Sequence, residues 1–416
     1  MPRAIALEFL HFSNIFSVVS YYNVVLNSFI YKGTSMNRPE LTLVEHFQSI
    51  QDYRENHNKQ HLLIDIIAVA VCCVICGANN FVEIQTIANE KVDWFRTFLS
   101  LPNGIPSHDT FNRVFARICS DELRSCFLSW VQATFPEHHT QHIALDGKEL
   151  HHSQDGDNDF ANLRMISAWS VDHGIVLGQA IVADDSNEIT AVPQLLKTID
   201  ITGCHFTADA FHCQMNLVKL LTKGAAAFTI GVKANQKMLH QSIIDTFTDL
   251  KQRSDASLQR YTTTEKGHGR LETRTYYFTN DLSRIATIGH WDGIENIGMV
   301  ESERRIGTKI EQETRYYINR GDTQIQAFSN HVRSHWSIEN QLHWRLDVIF
   351  HEDGAHLRID HAPENMAIIR HIAMNLLTSE RTMKVGTQAK RLRAACSNTY
   401  LEKVIKSHNT HNTRIL

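Results

Sequence analysis

Residues 142–147, with the sequence His-Ile-Ala-Leu-Asp-Gly, decide the fold. A short apolar segment, His142–Leu145, is followed directly by the acid Asp146 and by Gly147. A second segment of this kind, Phe206-Thr207-Ala208-Asp209, follows later in the chain. Short apolar runs are typical of buried strands, and Gly147 permits close approach of the backbone beside the first acid. Because the ends of adjacent strands are neighbours in space, we expect Asp146 and Asp209 to meet in one cleft. Taken alone, each is more often an ordinary turn aspartate.

The periodicity around these two segments predicts a sheet with helices packed against it. From residue 141 the order is three strands, a helix, a strand, a helix and a strand. The elements after the first strand are predicted at Met165–Val171, Ile175–Val182, Ile189–Ile199, Cys204–Ala208, Cys213–Lys223 and Ala226–Val232. This order predicts a mixed α/β sheet of the ribonuclease H-like kind, with an antiparallel hairpin near its start and βα units after it.

The rest of the chain divides by periodicity and charge. Residues 41–135 carry apolar side chains at helical spacing, which predicts an all-helical N-terminal domain. Residues 140–378 are predicted to be one α/β domain, interrupted at about 241–320 by a β-rich insertion of alternating Thr- and Tyr-rich segments. Residues 381–416 form a basic tail.

Residues 1–35 are expected to be an extension that belongs to no domain. Polar residues interrupt this apolar segment, it lacks a signal-peptide layout, and more ordinary polar sequence begins at Met36. A membrane anchor is the weaker interpretation of this segment, and the apolar run Leu62–Ala78 favours a buried helix over a span. The net charge of -4 requires any basic surface to be local. Most of the eight cysteines lie in apolar stretches, which favours buried thiols over zinc ligands.

A third acid, Glu339, lies in a predicted helix with the sequence HWSIENQLHWRLD. Four polar residues of this helix recur every four positions and so share one face: His335, Glu339, His343 and Asp347. The apolar positions that can pack the helix on the sheet are Ile338, Leu342 and Leu346. Phosphodiester cleavage by two divalent ions needs about three acids in one cleft, and Glu339 is the third candidate. A zinc site of His and Glu is a rival, although the His-Glu-x-x-His pattern is absent.

Seven stretches of the chain carry a resemblance to a known family. They are Leu101–Phe115 (LPNGIPSHDTFNRVF), Ile143–Leu150 (IALDGKEL), Ile175–Gln194 (IVLGQAIVADDSNEITAVPQ), Ala208–Gln214 (ADAFHCQ), Val232–Gln236 (VKANQ), Glu265–Arg274 (EKGHGRLETR) and His335–Phe350 (HWSIENQLHWRLDVIF). These stretches occur in the same order as in a known family. Over residues 41–378, the chain therefore resembles the DDE transposases of insertion sequences, specifically the H-repeat-associated family.

The resemblance implies a ribonuclease H-like catalytic domain with a β insertion before the glutamate. It places the family's acid triad, both catalytic and metal-binding, on Asp146, Asp209 and Glu339. The implied cofactor is a pair of Mg²⁺ ions, or Mn²⁺, with Asp146 between them. Water then cleaves the strand at a transposon end, and the freed 3′-hydroxyl attacks target DNA. The implied partners are double-stranded DNA, both transposon ends and target, and a second copy of the chain on that DNA. The implied location is the cytoplasm, at the nucleoid, without a membrane.

Several cationic or imidazole side chains are candidate DNA contacts because phosphates attract positive charge. They are Lys148, Lys233, Lys237, Arg270 and Arg274, with His335 and His343 beside the glutamate. The helical domain at 41–135 is expected to help bind transposon ends. The basic tail either contacts DNA or is disordered.

The chain departs from related transposases around the glutamate. Those proteins carry a Tyr-Arg-Glu-Lys signature, whereas here His335 stands four residues before Glu339 and Leu346 seven residues after it. This puts in question any hairpin or base-flipping step assigned to the signature, but not the acid triad. Three alternatives stay open: a metal-dependent nuclease of the same fold without strand transfer, a decayed DNA-binding remnant, and a zinc protein.

Overall fold

A nine-stranded mixed sheet forms the centre of the computed structural model, which describes residues 42–135, 141–151, 163–182, 188–267, 269–285 and 287–407. The strands are β1 His142–Leu150, β2 Leu163–Ser170, β3 Ile175–Val182, β4 His205–Ala208, β5 Ala227–Val232, β6 Gln259–Gly267, β7 Arg270–Thr279, β8 Asn296–Ile306 and β9 Lys309–Arg320. They lie in the order β3-β2-β1-β4-β5-β9-β8-β7-β6. The predicted mixed α/β architecture is confirmed, and the predicted extension at residues 1–35 lies outside the described residues.

The strand directions follow the predicted element order. β1 pairs antiparallel with β2, and β2 pairs antiparallel with β3. β4 then pairs parallel with both β1 and β5. The β insertion supplies β6 to β9, which continue the same sheet from β5 with antiparallel pairing throughout. The insertion therefore widens the sheet that carries the candidate acids.

Strand β1 does not end at Asp146, which corrects the prediction of a short strand. It continues to Leu150 because β2 pairs with it along its whole length, from Ile143 to Leu150. The parallel pairing with β4 does end there: its last pair is Leu145 with Ala208. Asp146 and Asp209 each follow one member of that pair, so they stand side by side where β1 and β4 diverge.

Helices pack against both the first three strands and the strands of the insertion. The α-helices are α1 Thr42–Phe47, α2 Leu63–Ile75, α3 Phe81–Glu90, α4 Val92–Phe95, α5 His108–Arg117, α6 Ser120–Thr134, α7 Glu188–Leu196, α8 Met215–Lys223, α9 Lys237–Arg253, α10 Ile325–His335, α11 Trp344–Val348, α12 Ala362–Ser379, α13 Thr387–Cys396 and α14 Asn398–Ile405. A π-helix spans Ile338–His343, and short 3-10 turns span Asn56–Asn58, Ala210–His212, Ala234–Gln236 and Ile288–His290.

Helix α12 joins the N-terminal helices to the sheet. It is buried along almost its whole length and packs against α2, α5, α6 and β3. The Asn365 side chain donates to the carbonyl oxygen of Phe115 at 2.7 Å. The Asn375 side chain accepts from the backbone N–H of Val176 and donates to its carbonyl, at 2.8 and 2.9 Å. The helical character predicted for residues 41–135 is confirmed over the described residues 42–135, and their standing as a separate domain stays a prediction.

Helix α2 is a core helix, as the run Leu62–Ala78 predicts. Eleven of its residues are buried, among them Cys72 and Cys73. Burial raises the pKa of the Cys76 thiol to about 12, so this group stays protonated. Both findings agree with buried thiols. In the part of the chain that the structure describes, no helix is long and apolar enough to cross a membrane.

The basic tail is ordered over α13 and α14, so the interpretation of it as disordered is wrong there. Arg391 is 2% exposed and donates hydrogen bonds to the carbonyl oxygens of Val74, Ala78 and Ile349. These carbonyls lie at or just after the C-terminal ends of α2 and α11, where a helix leaves carbonyl groups without a full set of helical partners. Lys390 similarly donates to the carbonyl of Leu377 at 2.8 Å. Two cations of the basic run therefore stabilise the core rather than forming a surface.

We predict that Arg391→Met lowers the free energy of unfolding by about 2–4 kcal/mol, because several buried carbonyls lose their donor. Urea denaturation measures this. Leu392→Ala is the matched control, since Leu392 lies on the same helix and is 66% exposed; it should change stability by less than about 0.5 kcal/mol. Equal stability of the Arg391 variant and wild type would contradict the capping role.

Candidate active site

The structure brings Asp146, Asp209 and Glu339 to one cleft with a volume of about 570 Å³. The three acids come from β1, from the turn after β4 and from the π-helix, respectively. The Asp146 side chain is 28% exposed, the Asp209 side chain is 49% exposed, and Glu339 is exposed. All three carboxylates are therefore open to the same solvent-filled space. Lys233 and His335 line it as well.

The backbone fixes the two aspartates. Asp209 caps the 3-10 turn that follows it: its Oδ1 accepts from the backbone N–H groups of Phe211 and His212 at 3.0 and 3.4 Å. Asp146 Oδ1 accepts from the backbone N–H of Gly147 at 3.0 Å. Strand β5 passes close beneath the turn, because a Cβ added at Gly231 would lie 3.1 Å from the nitrogen of Ala210. Because glycine has no side chain, the backbone of β5 can lie directly against the turn that carries Asp209.

Glu339 lies in the π-helix Ile338–His343, between α10 and α11. Its polar face meets the sheet at two strands. His335 Nδ1 lies 3.0 Å from Thr207 Oγ1 of β4, and His343 Nδ1 lies 3.6 Å from Asp146 Oδ2 of β1. The predicted apolar stripe of Ile338, Leu342 and Leu346 is buried. The burial of the apolar stripe agrees with the prediction, and the polar face of four-residue spacing also contacts the sheet, which the sequence did not predict.

His335 and His343 are neutral at ordinary pH. Burial lowers the pKa of His335 to about 4. Burial, together with the nearby Lys148 charge, lowers the pKa of His343 to about 4. Neutral imidazoles add no positive charge beside Asp146 and Asp209. Contact of these two histidines with DNA stays a prediction. In the structure, His343 lies beside Asp146, and His335 contacts Thr207, two residues before Asp209.

Lys148 is buried in an ionic cluster rather than displayed on a surface. Its Nζ lies 2.6 Å from Asp347 Oδ1, 2.8 Å from Asp353 Oδ1 and 3.8 Å from Glu352 Oε2, and its side chain is 8% exposed. Burial alone would lower the pKa of Lys148, but the three carboxylates outweigh burial and raise it. The predicted DNA contact by Lys148 is not favoured by this placement, because its charge is already matched.

The remaining predicted cations fall into two places. Lys233 and Lys237 are exposed, and Lys233 lines the cleft. Arg270 and Arg274 lie on β7 and line an adjoining groove of about 510 Å³ that shares Glu339 with the cleft. Arg274 is only 13% exposed and forms ion pairs with glutamates of β6 and β7. Lys233, Lys237 and Arg270 are therefore better placed than Arg274 to meet a phosphate.

Sequence reasoning missed the residues at the border of cleft and groove. The Arg315 guanidinium lies over the Trp336 ring, 4.9 Å from its centroid, and both residues line both cavities. The adjoining groove also contains Arg304 and Arg333. The alternation of β9 places Arg315 on the same face as Glu313 and Tyr317, but only the pairing of β9 with β5 brings that face beside Glu339.

Two family models match the chain. The model described as "Transposase DDE domain" matches residues 137–376, and the model described as "DDE_Tnp_1-associated" matches residues 44–131. The chain is 34% identical over 368 residues to "H repeat-associated putative transposase YhhI" of Escherichia coli (strain K12), covering 87% of this chain and 97% of that protein. It is 35% identical over 234 residues to "H repeat-associated putative transposase YbfD" of the same strain, covering 56% of this chain and 92% of that protein.

We predict that His343→Gln flattens the acid side of the stability profile. Between the ordinary His pKa of 6.5 and about 4, the unfolded chain binds a proton that folded His343 does not. The free energy of unfolding therefore falls as pH falls through this range, with a slope of up to about 1.4 kcal/mol per pH unit from this group. Urea denaturation across the range measures the slope. Exposed His290→Gln is the control; a wild-type slope in the His343 variant would contradict the prediction.

Proposed function

The chain belongs to the DDE-domain transposases of the H-repeat family, and on this premise we propose that it cleaves DNA at insertion-sequence ends and joins the freed 3′-hydroxyl to target DNA. One observation carries the proposal: Asp146, Asp209 and Glu339, from three separate elements, line one cleft. Convergence of carboxylates from two neighbouring strands and from a helix in one cleft is what phosphoryl chemistry with divalent ions requires.

The proposed fold of the catalytic region is ribonuclease H-like. Its support is the order β3-β2-β1-β4-β5, with the first three strands antiparallel and the next two parallel to β1. The four strands of the insertion lie between β5 and the helix that carries Glu339 in the chain. Open sheets of this kind place their ligands at the carboxyl ends of the parallel strands, which is where Asp146 and Asp209 stand.

The residues of the cleft fit two divalent ions of the magnesium class. The donor set is three carboxylates, which Mg²⁺ and Mn²⁺ prefer. The cleft stays negatively charged because His335 and His343 are neutral and Lys148 is matched by Asp347 and Asp353. Asp146, Asp209 and Glu339 would hold the ions. Bound ions would polarise the phosphate and favour deprotonation of the attacking water or hydroxyl.

The protein's own part in the reaction is to fix and orient groups. Backbone N–H groups hold Asp209 Oδ1, which sets the direction of that carboxylate before substrate arrives. His343 lies beside Asp146 Oδ2 at 3.6 Å and limits the rotation of that carboxylate. Lys233, on the rim of the cleft, would hold a phosphate of the cleaved strand.

We propose that DNA enters across Lys233 and Lys237 and along the arginine-lined groove of the insertion. The groove shares Trp336, Arg315 and Glu339 with the cleft, so a strand lying in it would reach the acids. The helices at 41–135 are proposed to bind transposon ends. Two ends must meet for the joining step, so a homodimer on DNA is part of the proposal.

We predict that Asp209→Asn abolishes Mg²⁺-dependent cleavage of DNA that spans an element end, a loss of at least about 1000-fold, because the triad acts as a unit. Asp245→Asn, on exposed α9 surface, is the matched control and should cleave normally. Gel analysis of labelled ends gives both cleavage and strand-transfer products.

The same assay separates the alternatives. Cleavage without joined product would identify a nuclease. DNA binding by wild type without any cleavage would identify a decayed remnant. Normal cleavage by the Asp209 variant would refute the assignment of the triad.

We also predict that Lys233→Gln weakens DNA binding uniformly across sequences. Removing one cation that neutralises a phosphate should reduce the slope of log K against log salt by about 0.9. Fluorescence anisotropy over a salt series measures the slope. Lys223→Gln is the control, since Lys223 is exposed at the far end of α8. Equal slopes for both variants and wild type would remove Lys233 from the DNA path.

A further inference from the structure

His205, Asp322 and His331 converge from three separate parts of the chain. His205 is the first residue of β4, Asp322 follows β9, and His331 lies in α10. One possible ligand atom from each residue lies within 4.8 Å of those of the other two. Among the described residues, this is the group of three His, Cys, Asp or Glu side chains whose ligand atoms lie close enough to share one metal ion. The cluster stands at the opposite end of β4 from Asp209, so it is separate from the acid cleft.

The distances within this cluster match those between ligands of one metal ion. His331 Nδ1 lies 3.0 Å from Asp322 Oδ2, and His205 Nδ1 lies 3.8 Å from Asp322 Oδ1. Two ligand atoms on tetrahedral zinc, with bonds of about 2.0–2.1 Å, are about 3.3 Å apart. The two measured distances bracket that value. The longer one is too long for a hydrogen bond, so a hydrogen-bonded His–Asp pair accounts for His331 but not for His205.

The groups behind the three residues resemble the outer support of a metal site. His205 Nε2 lies 2.8 Å from Thr229 Oγ1, which leaves Nδ1 to face Asp322. The Asn319 side chain donates to Asp322 Oδ2 at 2.7 Å and to Thr229 Oγ1 at 2.8 Å. Metal-binding imidazoles are oriented in this way by a hydrogen bond on the other ring nitrogen, and metal-binding carboxylates by a neighbouring donor.

The site is buried but reachable. The side chains of His205 and Asp322 are 10% and 5% exposed, and that of His331 is 22% exposed. The rings of His205 and His331 stack with their centroids 3.5 Å apart. An ion would enter past His331, the most exposed of the three, and one ring would rotate out of the stack so that the in-plane lone pairs of both nitrogens meet at the ion. Two imidazoles and one carboxylate leave a position for water, as in three-ligand zinc sites.

We propose that His205, Asp322 and His331 bind one transition-metal ion of the zinc class. Nitrogen ligands select zinc and its neighbours over magnesium, so this ion is chemically distinct from the pair assigned to the carboxylates. Neither the acid triad nor DNA is needed for this binding.

The ion would tie α10 to the sheet. His331 lies one helical turn before His335 and two turns before Glu339 along the same helical segment. An ion shared with β4 and with the end of β9 would fix the position of that segment over the cleft. This consequence for Glu339 rests on the proposed function, whereas the binding of the ion does not.

The test is zinc titration of the full-length, untagged chain by isothermal calorimetry in excess magnesium, with wild type, His331→Ala and Asp322→Asn. We expect one tight equivalent in wild type and at least a tenfold loss of affinity in both variants, because even outer-shell changes cost that much. Cobalt(II) gives a second readout, since its visible absorption bands report nitrogen and oxygen ligands directly.

Control variants separate this site from others. Asp209→Asn removes an acid of the cleft, and exposed His290→Ala removes a surface histidine; both should keep the tight equivalent. Circular dichroism melts without metal check that each variant folds, and zinc should raise the melting temperature of wild type but not of folded Asp322→Asn.

Three results would overturn the proposal. They are no tight zinc equivalent in wild type, retention of that equivalent in both His331→Ala and Asp322→Asn, or its loss in Asp209→Asn. The last would place the ion at the carboxylates. Failure of DNA cleavage in the earlier assay would leave the zinc result untouched, so the two proposals fail separately.

Discussion

The parallel pairing of β1 with β4 ends at Leu145 and Ala208, and the position of both aspartates depends on that register. Side chains alternate between the faces of a strand, so a slip of one residue would turn the buried residues of β1 toward the opposite face. Ile143, Ala144 and Leu145 are all fully buried, so both faces of β1 are closely packed. A slip would exchange bulky and small side chains between these faces, which overpacks one and leaves a cavity in the other. Apolar packing, rather than any attraction between the acids, therefore holds Asp146 beside Asp209.

This placement has an electrostatic cost, because neighbouring carboxylates repel each other at short range. His343 and Lys148 do not offset this repulsion, and the cations that line the cleft are Lys233 and Arg315. His343 lies beside Asp146 but is neutral, since burial and the nearby Lys148 charge lower its pKa to about 4. Lys148, only two residues from Asp146, directs its ammonium to Asp347 and Asp353. Side chains two residues apart on a strand lie on the same face, so Lys148 stands on the face of Asp146, but Asp347 and Asp353 match its charge there. Lys148 therefore adds no unmatched positive charge to the cleft.

The order of elements along the chain could be predicted from apolar runs and their lengths. Asp146 and Asp209 were candidates because each follows such a run, and Glu339 because of the four-residue spacing of its helix and the family resemblance. What could not be predicted depends on distant partners. β1 continues past Asp146 because β2 pairs with it. Arg391 reads as part of a basic tail, yet it meets the carbonyl of Val74 across most of the chain. Lys148 reads as a DNA contact until the fold brings three acids to it. The sequence gives the sign of each side chain's charge, but not whether that side chain is buried or already paired.

The π-helix accounts for the last part of the site. On a regular α-helix, residues four apart advance by about 40° around the axis, so three such steps would carry Asp347 about 120° away from the direction of His335. A π-helix has more residues per turn than an α-helix, so each of its residues rotates less about the axis. The π segment between His335 and Asp347 therefore reduces the angle between their directions. His335 therefore meets Thr207 on β4 while Asp347 meets Lys148 on β1. The helical segment thus contacts both strands, and Glu339, which lies between these two contacts in the chain, lines the cleft from within the π-helix.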